Sequence, residues 1–105
     1  MIRAGFYRDS SERLVGFTVS GHAGYAEYGQ DIACASVSSA VMLTANTVTE
    51  AFRIDAEVTV EENEITLKLK QADEDGDRLI LGLLTHLYIL SDEFQGRIRI
   101  TFTEV

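Results

Sequence analysis

From Ile32 to Thr49 the chain carries no charged residue, and Ala, Ser, Thr and Val dominate the run. Asp31 stands immediately before it, and aspartate is a preferred helix N-cap. The pattern predicts a helix starting at Asp31 and running to about residue 51, with little solvent-facing character. Such a helix is central to its fold or packed against a second chain. Its Ser, Thr and Asn side chains argue against a membrane span. Nowhere does the sequence approach the ~20 continuous apolar residues that cross a bilayer.

Around this helix the sequence alternates. IRAGFYR (2–8) and RLVGFTVSG (13–21), joined by the polar cluster DSSE, predict a β-hairpin, with Gly5 and Gly16 marking bulges or close packing. AEVTVEE (56–62) and EITLKLK (64–70) flank Asn63 as a second, tight hairpin with one buried and one wet face. DEDGD (73–77) leads into a second helix over 78–94, with Leu79, Leu83, Leu87 and Leu90 on one stripe. Gln95-Gly96 then turns the chain into a last strand, RIRITFTEV, with Ile98, Ile100 and Phe102 on one face. The order ββαββαβ predicts an α+β fold, two helices packed on a largely antiparallel sheet.

At 105 residues, 46% of them hydrophobic, residues 1–105 suit one domain whose core needs no metal or disulfide staple. A lone cysteine forms no internal disulfide, and the opening MIRAGFYRDS lacks the apolar run of a signal peptide. Both features fit a soluble protein of a reducing compartment, most simply the cytoplasm. The net charge of −8 repels a nucleic-acid backbone and steers a cationic peptide or basic protein toward the surface. Acidity also simply confers solubility.

One histidine and the cysteine fall in a single stretch, GHAGYAEYGQDIACASVSSAV (21–41). Counted from an N-cap at Asp31, Cys34 lies in the first helical turn, where unpaired amides and the helix dipole stabilise an anion. A thiol so placed is a nucleophile in waiting. Yet Cys34 also heads an apolar stripe of Val37, Val41, Ala45, Val48 and Phe52, and unpaired cysteines are among the most buried side chains. His22 follows Gly21 at the end of the second strand, and the glycine-containing loop lets it fold back toward Cys34. The residues alone leave both readings open: a catalytic couple, or a loop histidine ahead of a core thiol.

Gly21-His22-Ala23 followed by Gly29-x-Asp31-Ile32-x-Cys34-Ala35-x-Val37-Ser38 resembles the ribosomal-processing cysteine protease (Prp) family. The resemblance spans essentially the whole chain, including the opening hairpin and the closing IRI strand. Ala33 and Ser36 fall where members vary among small or branched apolar residues. The resemblance implies a bacterial cytoplasmic endopeptidase, working as a homodimer. Its substrate is the short N-terminal extension of large-subunit ribosomal protein twenty-seven, with paired phenylalanines and, past the cut, lysines. It implies Cys34 as nucleophile and His22 as general base.

Supporting roles are expected nearby. Asp31 either caps the helix or orients His22, and Ser38, one turn beyond Cys34, either bonds near the site or merely packs. Residues 23–30 read as a substrate-binding lid, with Gly21, Gly24 and Gly29 as flexible points, Tyr25 and Tyr28 as aromatic contacts and Glu27 for a lysine. No metal or other cofactor is expected, because His22, Asp31, Cys34 and the distant His86 lack any metal-ligand spacing. His86 reads as a partly buried packing residue, and DEDGD as an acidic helix start with no calcium-loop geometry. The competing function is a non-catalytic ribosome-associated module that holds a basic protein on an acidic surface. A redox sensor is weaker still, for want of a resolving cysteine.

Overall fold

The alternating runs form a mixed five-stranded sheet among the residues that the structure, a computed structural model, describes: 1–21 and 28–105, with side chains in the second segment from Ile32 onward. Strands β1 (Ile2–Arg8) and β2 (Leu14–Ser20) make the first hairpin, and β3 (Ala56–Glu61) and β4 (Glu64–Leu69) the second. β5 (Ile98–Glu104) closes the sheet in the order β3-β4-β2-β1-β5. Helices α1 (Tyr28–Asn46) and α2 (Glu74–Glu93) supply the connections, giving the expected ββαββαβ order. β5 runs parallel to β1 while the other pairs are antiparallel, so the sheet is largely but not wholly antiparallel.

Register turns alternation into a core. Ala4 lies opposite Val19, Phe6 opposite Phe17, Phe17 opposite Leu67 and Val19 opposite Ile65, so their buried side chains share one face. Phe6 and Phe17, both fully buried, contribute about 1.5–3 kcal/mol each on the usual scale. The other face stays wet, and across it the Tyr7 hydroxyl bonds Thr18 Oγ1 at 2.8 Å, which bonds Thr66 Oγ1 at 3.0 Å. Gly16 marks a close approach, since a Cβ there would lie 2.6 Å from the Leu67 carbonyl oxygen. The register shift falls right beside it: Gly16 pairs with Tyr7 and Leu14 with Arg8, leaving Val15 as the extra residue. Asp9 closes the hairpin loop: its carboxylate accepts the amides of Arg13 and Ser11 and pairs with the Arg13 guanidinium at 3.2 Å. These contacts, the Arg13 amide foremost, hold the Asp9 carboxyl below its ordinary pKa against slight desolvation.

The uncharged run is a core helix, but its bounds differ from the sequence reading. α1 begins at Tyr28, so Asp31 is its fourth residue and not an N-cap. An aspartate anywhere in the first turn is favoured by the helix dipole, which makes an acidic residue an ambiguous marker of the start. Ala33, Cys34, Val37, Val41, Ala45 and Val48 are buried. The threonines satisfy their hydroxyls within the helix: those of Thr44, Thr47 and Thr49 donate to the carbonyls of Ala40, Leu43 and Ala45. From Thr47 to Ala51 the helix widens into a π turn, with the Phe52 amide donating to the Thr47 carbonyl. That wider turn shifts the angular register, and Phe52, expected on the buried stripe, is exposed. By length and composition Ile32–Ala51 would suffice to cross a bilayer, yet its buried stripe belongs to the sheet's core.

α2 also starts earlier than its leucines suggest. Asp73 is its N-cap, accepting the Gly76 amide at 2.8 Å, and Glu74, Asp75 and Asp77 fill the first turn as an acidic helix start. Asp77 reaches across to accept the Leu14 amide at 2.8 Å, tying α2 to β2. Ile80, Leu83, Leu84, Leu87 and Leu90 are buried, whereas Leu79 is only partly so. The stripe is thus centred one residue from where the leucine spacing alone places it. β3 is an edge strand whose Val58 and Val60 point to the helix side, opposite Leu67 and Ile65, but extend past helix cover and stay exposed.

Candidate active site

Cys34 is the seventh residue of α1, in its second turn. The expected first-turn placement is therefore corrected. Its own amide falls within the hydrogen-bonded body of the helix, so it is no orphan donor for an oxyanion, and dipole stabilisation has already faded there. The side chain is 3% exposed and heads the stripe continued by Val37 and Val41. Burial of the thiol, one of the two readings open from sequence, is what the structure holds.

The sulfur nonetheless sits at the end of the sheet, beside the exit of β2. Cys34 Sγ donates to the Gly21 carbonyl at 3.6 Å. Gly21, with φ at 77°, is held by two neighbours: its amide donates to the Asn63 carbonyl at 3.1 Å, and the Met1 backbone lies against it. His22 is joined by one peptide bond to the residue that touches Sγ. His22 itself, with Gly24, Tyr25 and Glu27, lies outside the described residues. Tyr28 and Gly29 are part of the α1 backbone, so the expected lid segment is shorter at its C-terminal end. Ser38 is half-buried on α1, one turn past Cys34.

Two features were not read from the sequence, one at this corner and one between the helices. The β3–β4 turn reaches it through Asn63, and Glu61, Glu62 and Glu64 around that residue are exposed. Only strand order, with β4 beside β2, brings them there; within the sequence they are an ordinary polar turn. His86 is exposed and not packed. It lines a groove of about 800 Å³ between α1 and α2, together with Ala35, Ser39, Leu43, Gly82 and Leu90. The absence of a side chain at Gly82, which has open space around its Cα, leaves room above the helix there.

Similarity to known proteins identifies the family. The model of the family described as Cysteine protease Prp matches residues 1–99. The chain belongs to this family. As a Prp member it is a cysteine protease. It is similar to the Ribosomal processing cysteine protease Prp of Bacillus subtilis (strain 168), 27% identical over 108 residues and 96% of each chain. The crystal structure of SMU.848 from Streptococcus mutans superposes at a TM-score of 0.89 with 25% identity, covering 100% of this chain and 96% of that one. The essential ribosomal processing protease Prp from S. aureus, in complex with a substrate peptide, gives 0.90 at 17% identity, covering 98% and 100%. At that identity the S. aureus structure speaks for the Prp fold alone.

Proposed function

We propose that residues 1–105 act as one cysteine protease domain with Cys34 as nucleophile and His22 as general base. The observation that carries this reading is a count: the chain belongs to a cysteine protease family and contains a single cysteine. The contact between Sγ and Gly21 supports His22 as its partner, because the imidazole is borne by the next residue in the chain. Thiolate attack on the scissile carbonyl gives a tetrahedral intermediate, which collapses to a thioester and an amine. His22 takes the thiol proton and returns it to the leaving amine; water then cleaves the thioester and restores the thiol. With Cys34 in the second turn, the dipole contributes little, and ionisation of the thiol rests on the imidazole. Asp31, inside α1, is then available to orient His22.

The substrate we infer is the N-terminal extension of large-subunit ribosomal protein twenty-seven, processed in the cytoplasm. Two of the relatives are named as ribosomal processing proteases. The glutamates beside Asn63 and the net charge of −8 suit the lysines past the cut and disfavour direct nucleic-acid binding. The working form is a homodimer, with the outward side of α1 as the contact. Ile32, Met42 and Leu43 are exposed on that uncharged helix, and on a strongly acidic chain a neutral face is where two copies meet with least repulsion.

The test is cleavage of a synthetic peptide spanning the extension, with products read by mass. A single cut after the paired phenylalanines, abolished in His22→Ala, is the expected result. An uncut peptide that still binds the protein would instead support the non-catalytic module.

A further inference from the structure

Sheet register builds a charged row at the end where Cys34 lies. Ser20, the last residue of β2, stands opposite Glu64 on one side and Arg3 on the other. Glu64 is matched in turn to Glu61, and Arg3 to Arg99. The row Glu61–Glu64–Ser20–Arg3–Arg99 therefore crosses all five strands on the face away from the helices, acidic at one end and basic at the other. Its midpoint adjoins Gly21, the residue whose carbonyl meets Cys34 Sγ. The two arginines come from opposite ends of the chain, so no basic run announces them.

The acidic half of the row already has a use in the lysines past the cut; the basic half has none. Arg3 and Arg99 are both exposed, and among the described residues neither takes part in an ion pair, the arginines that do being Arg8 and Arg13. Like charges directly opposite on neighbouring strands destabilise a sheet. The fold thus carries a cost that a neutral side chain at either place would avoid.

We propose that Arg3 and Arg99 are specificity determinants that set which way the substrate lies and which charge it carries ahead of the cut. This rests on the reading of Cys34 as nucleophile and of the substrate as a lysine-bearing peptide. A peptide laid across this end of the sheet, its scissile bond at Cys34, sends one arm toward the glutamates and the other toward the arginines. Lysines past the cut settle on the glutamate side, and the arginines repel the reversed orientation. The same repulsion rejects a lysine ahead of the cut and favours a carboxylate there. Neighbouring strands lie about 4.8 Å apart, so Arg99 stands about 10 Å from β2, the reach of about three extended residues. The third residue ahead of the cut, just before the paired phenylalanines, is therefore the one that the arginines select. Exchanging lysine for glutamate there reverses one charge in front of two arginines, which across about 10 Å of water amounts to about threefold to tenfold.

The test uses two synthetic peptides of the extension that differ only at that third residue, glutamate in one and lysine in the other. Each is cut by wild type and by the double variant Arg3→Gln, Arg99→Gln, and the ratio of kcat/KM for the two peptides is taken within each protein, so a general loss of activity cancels. Expected for wild type at low ionic strength is a preference of about threefold to tenfold for the glutamate peptide, carried by KM and lost in 1 M salt. In the double variant the ratio falls toward one. Thermal unfolding of that variant is expected at or above the wild-type temperature, since the opposed charges are gone. A wild type that cuts both peptides equally, or a double variant that keeps the full preference, overturns the proposal. So does a lowered unfolding temperature, which would give the pair a role in holding the sheet. Binding of both peptides to Cys34→Ala is measured alongside. Peptides that bind in the expected order but are never cut leave the arginine reading standing, and the protease reading falls instead.

Discussion

Replacing Cys34 with alanine separates chemistry from packing, because one side chain is asked to serve both. Cys34 is 3% exposed, so the change costs some stability: it removes one buried heavy atom, worth about 1 kcal/mol. For a chain of this length that lowers Tm by about 4–8 °C. Val37, fully buried one turn along the same stripe, provides the yardstick. Val37→Ala removes two methyl groups, worth about 2 kcal/mol and thus about twice the shift. Circular dichroism fixes a temperature at which both variants are folded, and peptide cleavage is measured there by mass. The expected result is that Cys34→Ala, the more stable variant, is inactive while Val37→Ala still cuts. Cleavage by Cys34→Ala above background would refute the assignment. So would complete loss in folded Val37→Ala, which would tie activity to packing in that part of α1.

Two further outcomes test the architecture. Leu43, 68% exposed on the uncharged side of α1, is changed to glutamate: Leu43→Glu should sediment as a monomer while its own folding stability shifts by no more than about 0.5 kcal/mol; an intact dimer rules out this contact. Asp73→Ala removes the cap on the Gly76 amide and should cost about 1 kcal/mol in urea unfolding; no measurable change in the midpoint would mean that the cap contributes nothing.

The strands were legible because their burial is one-sided: the Ile65, Leu67, Leu69 alternation of β4 reads directly as a face against the core. The parallel pairing of β5 with β1 was not, since nothing in RIRITF distinguishes a parallel neighbour from an antiparallel one. Helix starts suffered from the several ways acidic residues satisfy a first turn. Asp31 looked like a cap and is internal, while Asp73, read only as part of an acidic cluster, is the cap of α2. Phe52 was misplaced because a π turn leaves no periodicity signal, only a change of angle past Thr47. At the site, the Cys34 motif identified the family, and burial of the thiol was one of two readings left open. What the sequence withheld was the company that Cys34 keeps. Met1, Asn63 and the glutamate-bearing turn reach this corner by sheet order, across separations that no local pattern records.

The pairing of β5 with β1 also sets a timetable for biosynthesis. Ile2 is matched to Ile98, and its amide is taken by the Arg97 carbonyl, so the first strand gains its second neighbour only once residues 97–104 have been translated. Met1, which leans on Gly21, is anchored through that same seam. A nascent chain still short of residue 97 already possesses the cysteine but lacks the frame that positions it. A partly made copy that stops short of β5 therefore carries its cysteine without the seam that anchors Met1 against Gly21.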